Sequence, residues 1–301
     1  MRETIFFETM DGIAIDRTVR DYEFTMPDKH FHEQYELYYL LEGQRYYFIE
    51  DKTYLVNAGN LVLIDHNQIH KTSSAGKPYH DRIVIEFSGD LIAPFFALFN
   101  DFSIDDLYHR FYGVITLSKE HQDYVKTSLL SIATEIHKKD FSYKSIAYMK
   151  LSQLLVFIYR CAEQNILSLN ADVPQTLKHQ KIQEITLYIN ENYTEVKSLD
   201  DLAKYFYISK CYLSRIFKET TGFTVNEYIN IYKVKKAQSL LAHSDYNITQ
   251  IANLLGYSNI MYFEKAFKKY TEMTPLKYRK KMSTYSLPGK KPRLVKNATD
   301  N

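Results

Sequence analysis

The sequence predicts an α+β chain of several domains: a β-rich N-terminal part, a helical middle and an all-α C-terminal part. Three observations carry the prediction. Short aromatic and β-branched runs recur through residues 1–115, broken by Asp, Gly and Asn. Between 118 and 168 the apolar residues change to helical spacing. From Leu199 to Tyr278 the chain repeats itself at a step of 49 to 50 residues, the mark of a duplicated supersecondary unit.

In the first part, the strand-like runs are Val19 to Met26, Tyr35 to Leu41, Tyr46 to Glu50, Leu61 to Ile64 and Arg82 to Phe87. Several short strands at this spacing predict a small barrel or sandwich. His30, His32 and Glu36 are all even-numbered, so on one unbroken strand they share a face. Tyr38 and Leu40 continue that face, and Tyr46 and Phe48 follow after the turn at Gly43. Such a stripe is core or the aromatic wall of a pocket for a small ligand.

The order His30-x-His32-x-x-x-Glu36, with Gly43, Gly59 and His70 downstream, resembles the metal-binding motif of cupins. Asn60, Asp65 and His66 depart from that family's pattern. Imidazole with carboxylate suits a divalent transition metal, so the resemblance implies a site at His30, His32, Glu36 and His70. Regulatory cupins keep such residues at the barrel mouth without a metal, and no cofactor is expected here. In that case His30, His32, Glu36, Tyr38, Tyr46 and His70 form an effector site, and analogy with the family implies a small ligand such as a sugar.

In the middle segment, Leu129, Ile132, Ala133 and Ile136, then Leu151, Leu154, Leu155 and Ile158, mark two amphipathic helices, with Ser118 at the first N-terminus. They either join two copies of the chain or pack on their own barrel. Ser168-LNADVPQT is a polar, Pro-containing break that predicts a linker.

The duplicated unit explains the C-terminal part. Ala203 falls over Ala252, and Tyr212, Phe217, Lys218, Thr221, Thr224 and Tyr228 fall over Tyr262, Phe267, Lys268, Thr271, Thr274 and Tyr278. A small residue on a short helix lets a second helix cross closely, as a helix-turn-helix requires. The predicted helices are 179–193, then 198–206 with 209–220, a joining helix from Thr224 to about His243, and 248–255 with 259–271, followed by a terminal turn after Pro275. Ser198 and Ser209 are placed as N-caps.

"LAKYFYISKCYLSRIFK…TG" and "IANLLGYSNIMYFEKAFKKYTEMTPLKYRK" resemble the two helix-turn-helix units of the AraC/XylS family of bacterial transcription regulators, over His179 to Lys281. Lys233, Met261, Lys265 and Glu272 depart from the family's usual residues. Glu272 stands where the first repeat keeps Gly222, and losing a left-handed Gly cap weakens a helix end by roughly 1 kcal/mol.

The resemblance implies an N-terminal cupin-like β-barrel (1–115) that senses a ligand, a helical dimerisation segment (116–168), a double helix-turn-helix domain (179–281) and a basic, disordered tail (282–301). It places Lys210, Cys211, Ser214, Arg215 and Lys218 of the first recognition helix, and Ile260, Met261, Glu264, Lys265 and Lys268 of the second, against DNA. Arg215 can bond guanine bidentately or meet a phosphate. Ile260 and Met261 offer only apolar contacts, so the second unit is expected to bind less specifically. Two units on one chain are expected to enter successive major grooves, about 34 Å apart.

Charge agrees with that division. Residues 1–178 carry a net −7, residues 179–281 a net +6 and the tail a net +3, a distribution that suits phosphate contact by the C-terminal part. Cys161 and Cys211 sit far apart in helical patterns, so no disulfide is expected. No signal peptide and no apolar run of ~18 residues is present, which predicts a soluble cytoplasmic protein without membrane contact. Double-stranded DNA, a small-molecule effector, a second copy of the chain and RNA polymerase are the expected partners. The alternatives are a metal-dependent cupin enzyme joined to a DNA-binding module, and a constitutive DNA-binding protein whose barrel only dimerises.

Overall fold

The computed structural model describes residues 1–24, 32–97, 103–163, 168–169, 176–196 and 198–285. The strands are β1 (Arg2–Met10), β2 (Ile13–Arg20), β3 (Tyr35–Ile49), β4 (Lys52–Asn57), β5 (Asn60–Ile64), β6 (His70–Ser74), β7 (His80–Phe87), β8 (Gly113–Thr116) and β9 (Ser168–Leu169). The helices are α1 (Gly89–Ala97), α2 (Ile104–Phe111), α3 (Lys119–Lys138), α4 (Tyr143–Glu163), α5 (Leu177–Asn192), α6 (Leu199–Tyr205), α7 (Lys210–Thr221), α8 (Val225–His243), α9 (Ile248–Leu254), α10 (Ile260–Thr271) and α11 (Pro275–Tyr285). The chain divides into two compact units, one mainly from Met1–Gln183 and one mainly from Glu184 onward.

In the first unit the antiparallel sheet runs β1-β2-β7-β3-β5-β8-β9, and β4 and β6 both pair with the C-terminal half of β3. Alternation gives this sheet two faces. Leu37, Tyr39, Leu61, Leu63, Ile83 and Ile85 lie on one, packed with Leu107 of α2, Leu129 and Ile132 of α3 and Leu151 and Leu154 of α4. Tyr38, Leu40, Val62 and Ile64 lie on the other, with Tyr47, Ile49, Tyr54 and Val56, and close the barrel interior.

Strand β3 changes its parity partway. The pairing of β3 with β7 slips between Leu40 and Glu42, so even residues before this bulge and odd residues after it share the inner face. Gly43 follows at φ +92°, and a Cβ there would meet the Tyr79 carbonyl oxygen at 2.3 Å. Only glycine fits.

Several expectations change. Tyr35 to Leu41 and Tyr46 to Glu50 are one strand, because the chain bulges between Leu40 and Glu42 and runs on through Gly43 without reversing. The strand expected at Val19 to Met26 lies earlier, at Ile13–Arg20; residues 25 and 26 fall outside the described residues. Residues 1–115 are not all strand, since α1 buries Ile92 and Phe96 four apart and α2 starts on the Ser103 side chain, which accepts from the Asp106 N–H. Ser168–Leu169, expected in the linker, pairs with β8.

In the second unit the helix pairs stand where the duplication puts them. Ser198 and Asn247 cap α6 and α9, and Ser209 accepts from the Tyr212 N–H at the start of α7. Ala203 and Ala252 are buried, as are Leu213, Phe217, Phe263 and Phe267. Helix α8 opens with a capping box between Thr224 and Glu227 and packs on α9, α10 and α11. Beyond Pro275 the chain forms the helix α11, longer than the turn expected, because Tyr278 is buried against Phe267. The tail expected from 282 therefore begins inside a helix, and residues 286–301 lie outside the described ones. Glu272 takes φ +57° and Gly222 φ +86°, so both repeats end their second helix left-handed.

Cys161 is buried and Cys211 exposed, both as free thiols. Among the described residues no helix is long and apolar enough to cross a membrane.

Candidate functional site

Glu36, at the start of β3, is 3% exposed and gathers three partners. Tyr47 donates its phenolic hydrogen to Oε1 at 2.8 Å. The Nε2 atoms of His32 and His70 stand 3.5 and 3.6 Å from Oε2. His32 lies before the strand, so its approach to Glu36 comes from the bend at 33–34 and not from strand alternation. Its Nδ1 is 3.0 Å from the Gln34 carbonyl, and Nδ1 of His70 is 3.0 Å from the Gln68 carbonyl. A carbonyl only accepts, so both Nδ1 atoms carry hydrogen and both Nε2 atoms face the carboxylate.

Burial would raise the Glu36 pKa, but the His32 and His70 rings and the Tyr47 hydroxyl hold it down to about 2. Burial works against a charge on His32, yet Glu36 lifts that imidazole above its usual value. The carboxylate is therefore the stable form of Glu36 in the barrel interior, with an imidazole edge from each histidine beside it. The ligand atoms of His32, Glu36 and His70 lie within 4.8 Å of one another. Two imidazoles fixed through Nδ1 and one carboxylate fit a divalent transition ion, which would replace the imidazole proton.

Not all the expected effector residues meet here. His30 lies outside the described residues. Tyr38 is on the inner face, edge-on to Tyr47 at 5.2 Å between ring centres, and burial pushes its phenol up to about 12. Tyr46 is a correction: the bulge turns it to the outer face and puts Tyr47 where Tyr46 was expected. A one-residue slip of this kind has no signature in the strand's own composition beyond Gly43.

The second candidate site lies on the two recognition helices. Lys210, Cys211, Ser214, Arg215 and Lys218 of α7 are all exposed, and so are Ile260, Met261, Glu264, Lys265 and Lys268 of α10. Leu213, Ile216 and Phe217 hold α7 from behind, and Phe263, Ala266 and Phe267 hold α10. Lys210 donates to Asp200 at 2.8 Å, a pairing that a phosphate would have to break. Tyr212 and Tyr262 occupy matching exposed positions that charge-based reasoning passes over. The Arg215 guanidinium lies 5.8 Å over the Tyr212 ring. Asn230 of α8 accepts from the Tyr257 hydroxyl and bonds the Tyr262 hydroxyl, fixing the start of α10 on the joining helix.

Comparison with known proteins matches residues 13–115 to an AraC-like ligand-binding domain and residues 202–281 to a helix-turn-helix domain. The regulatory protein PocR of Salmonella typhimurium is 34% identical over 108 residues, 36% of each chain. The HTH-type transcriptional regulator YdeC of Bacillus subtilis is 22% identical across 83% of this chain and 85% of its own. A crystal structure of apo ToxT from Vibrio cholerae aligns with 90% of this chain and 98% of its own, at 16% identity and a TM-score of 0.39. The chain thus spans about a third of PocR and most of YdeC.

Proposed function

We propose that this chain, a member of the AraC family of transcription regulators, couples a small molecule held inside its N-terminal barrel to DNA held by its two helix-turn-helix units. The observation that carries the sensing half is the group of Glu36, Tyr47 and His70 buried on the inner face of the sheet, joined by His32 from the segment before β3. Charged groups at that depth destabilise a barrel that has no use for them. Packed apolar residues would fill the space better. If a divalent ion is bound, His32, Glu36 and His70 hold it, and it would polarise an oxygen of the ligand.

The DNA-binding half is supported by the exposed outer faces of α7 and α10, each backed by a buried apolar face on a capped helix. Arg215 is the residue suited to reading a guanine; the lysines hold phosphates and set position. Coupling requires only that the ligand favour one arrangement of the chain over another, with a differential of about 1–3 kcal/mol. A second copy of the chain and RNA polymerase are further partners that this reading takes from the family resemblance.

The test replaces His32 and Glu36 together by Ala in a reporter strain. Retained DNA binding with a lost response to inducing growth conditions supports sensing at this cluster. A double variant that folds and responds like its parent makes the barrel a scaffold.

A further inference from the structure

Across the barrel interior from Glu36 lies a second buried polar group, and its sign is opposite. Strand β2 brings Arg20 and β7 brings His80 and Arg82 to the inner face, and the part of β3 beyond the bulge brings Arg45. Arg82 is neutralised by Asp16. Arg20 and Arg45 have no such partner: neither forms an ion pair with any described carboxylate, although Arg45 is fully buried and Arg20 is 5% exposed. Arg45 donates to the Thr72 hydroxyl at 2.9 Å, the Ser74 hydroxyl at 3.3 Å and the Phe24 carbonyl at 2.6 Å. Its Nε–H, the Nε–H of Arg20 and the hydroxyl of Tyr38 are buried with no hydrogen-bond partner among the described residues. The Phe24 ring lies 4.0 Å from the Arg20 guanidinium and 5.8 Å from that of Arg45. His80 completes the cluster; its Nδ1 donates to the Pro78 carbonyl at 3.0 Å and leaves Nε2 for a further contact.

Two guanidiniums cannot stay in such a place unaided, because arginine does not discharge by losing its proton and like charges repel more strongly where water is scarce. Hydroxyls and carbonyls satisfy some donors of Arg45 but supply no negative charge. Among the described residues nothing supplies the balancing charge, and an anion with oxygens in a plane or fork is what a guanidinium recognises bidentately.

We infer that the effector is an anion, a small molecule whose carboxylate or phosphate group seats between Arg20 and Arg45 and accepts from Tyr38. The inference rests on the reading that the barrel binds an effector, and it narrows the class: a neutral sugar leaves both charges uncompensated. Phe24 stacks over the guanidiniums and excludes water from one side of the seat. The acid-imidazole cluster at Glu36 stands at the other end, so the interior distinguishes the charged end of a ligand from its neutral end.

The experiment is thermal unfolding of the full-length protein at constant ionic strength, with inorganic phosphate, glucuronate, glucose 6-phosphate and glucose each titrated to 20 mM. The expected result is a saturable rise in Tm of several degrees with at least one anion and none with glucose. Phosphate and glucose 6-phosphate against glucuronate separate the two headgroups. Arg20→Gln is expected to weaken that response tenfold or more. Arg45→Met, which removes a buried unpaired charge, is expected to keep or raise the ligand-free Tm and abolish the response. Should Arg45→Met fail to fold, Arg20→Gln decides alone. A rise that survives in both variants belongs to the basic DNA-binding half and overturns the inference, as does the absence of any rise with the anions. If glucose raises Tm equally in parent and arginine variants, the barrel still senses a ligand but not an anion.

Discussion

Tyr47 donates its hydroxyl hydrogen to Glu36 at 2.8 Å although the two residues lie eleven apart on one strand. Odd separation normally sends two strand residues to opposite faces. The bulge between Leu40 and Glu42 adds the one residue that restores them to the same face.

Tyr47→Phe removes the donor to a buried carboxylate and is expected to destabilise the protein by about 1–3 kcal/mol. Tyr46→Phe, on the outer face, is expected to change stability by less than about 0.5 kcal/mol. Urea unfolding of both variants reads the difference; equal losses would place the bulge elsewhere.

On DNA, Arg215→Ala should weaken the cognate site by about 1–3 kcal/mol and relax preference at one base pair. Lys265→Ala should cost less, evenly across sequences, and lower the slope of log K against log salt by about one. Binding isotherms at three salt concentrations separate these outcomes. Base-specific losses of equal size would make α10 a reader of sequence like α7.

Glu272 holds a left-handed backbone at φ +57°, the conformation that its counterpart Gly222 adopts at no steric cost. Glu272→Gly is therefore expected to stabilise the second unit by about 1 kcal/mol. A lower denaturation midpoint for the variant would show that the Glu side chain contributes more than its backbone strain removes.

His80 gives a pH signature. Burial first, then the charges of Arg45, Arg20 and Arg82, bring its pKa down to about 4. Unfolded, the ring takes a proton near pH 6.5 while the folded ring stays neutral, so stability is lost as pH falls from about 6.5 to about 4, by at most about 3 kcal/mol. His80→Asn, which keeps a donor for the Pro78 carbonyl, should flatten that part of the pH–stability curve. An unchanged curve would mean that His80 is protonated or exposed in the folded chain.

The helix-turn-helix half was legible because its signals are local. A cap, a buried small residue and apolar positions four apart recur within each twenty-five-residue stretch, and the whole pattern occurs twice, so Ala203 and Ala252, or Phe217 and Phe267, announce one another. The helical spacing of Leu129, Ile132 and Ile136 was likewise readable, since packing on the sheet uses the periodicity that the sequence displays. The barrel interior was legible only in part. Pairing His32 with Glu36 and His70 follows from motif order, but Tyr47 in place of Tyr46 depends on a one-residue slip that pairing with β7 imposes. Arg20, Arg45 and His80 are twenty-five to sixty residues apart in the chain and share no motif. Antiparallel register alone sets Arg20 opposite His80, and Gly43 opposite the same residue, so the buried cationic seat is a product of strand pairing across the sheet. Local chemistry wrote the helices. Long-range register decided which side chains face the barrel interior, because in a sheet a single residue of slip exchanges inside for outside.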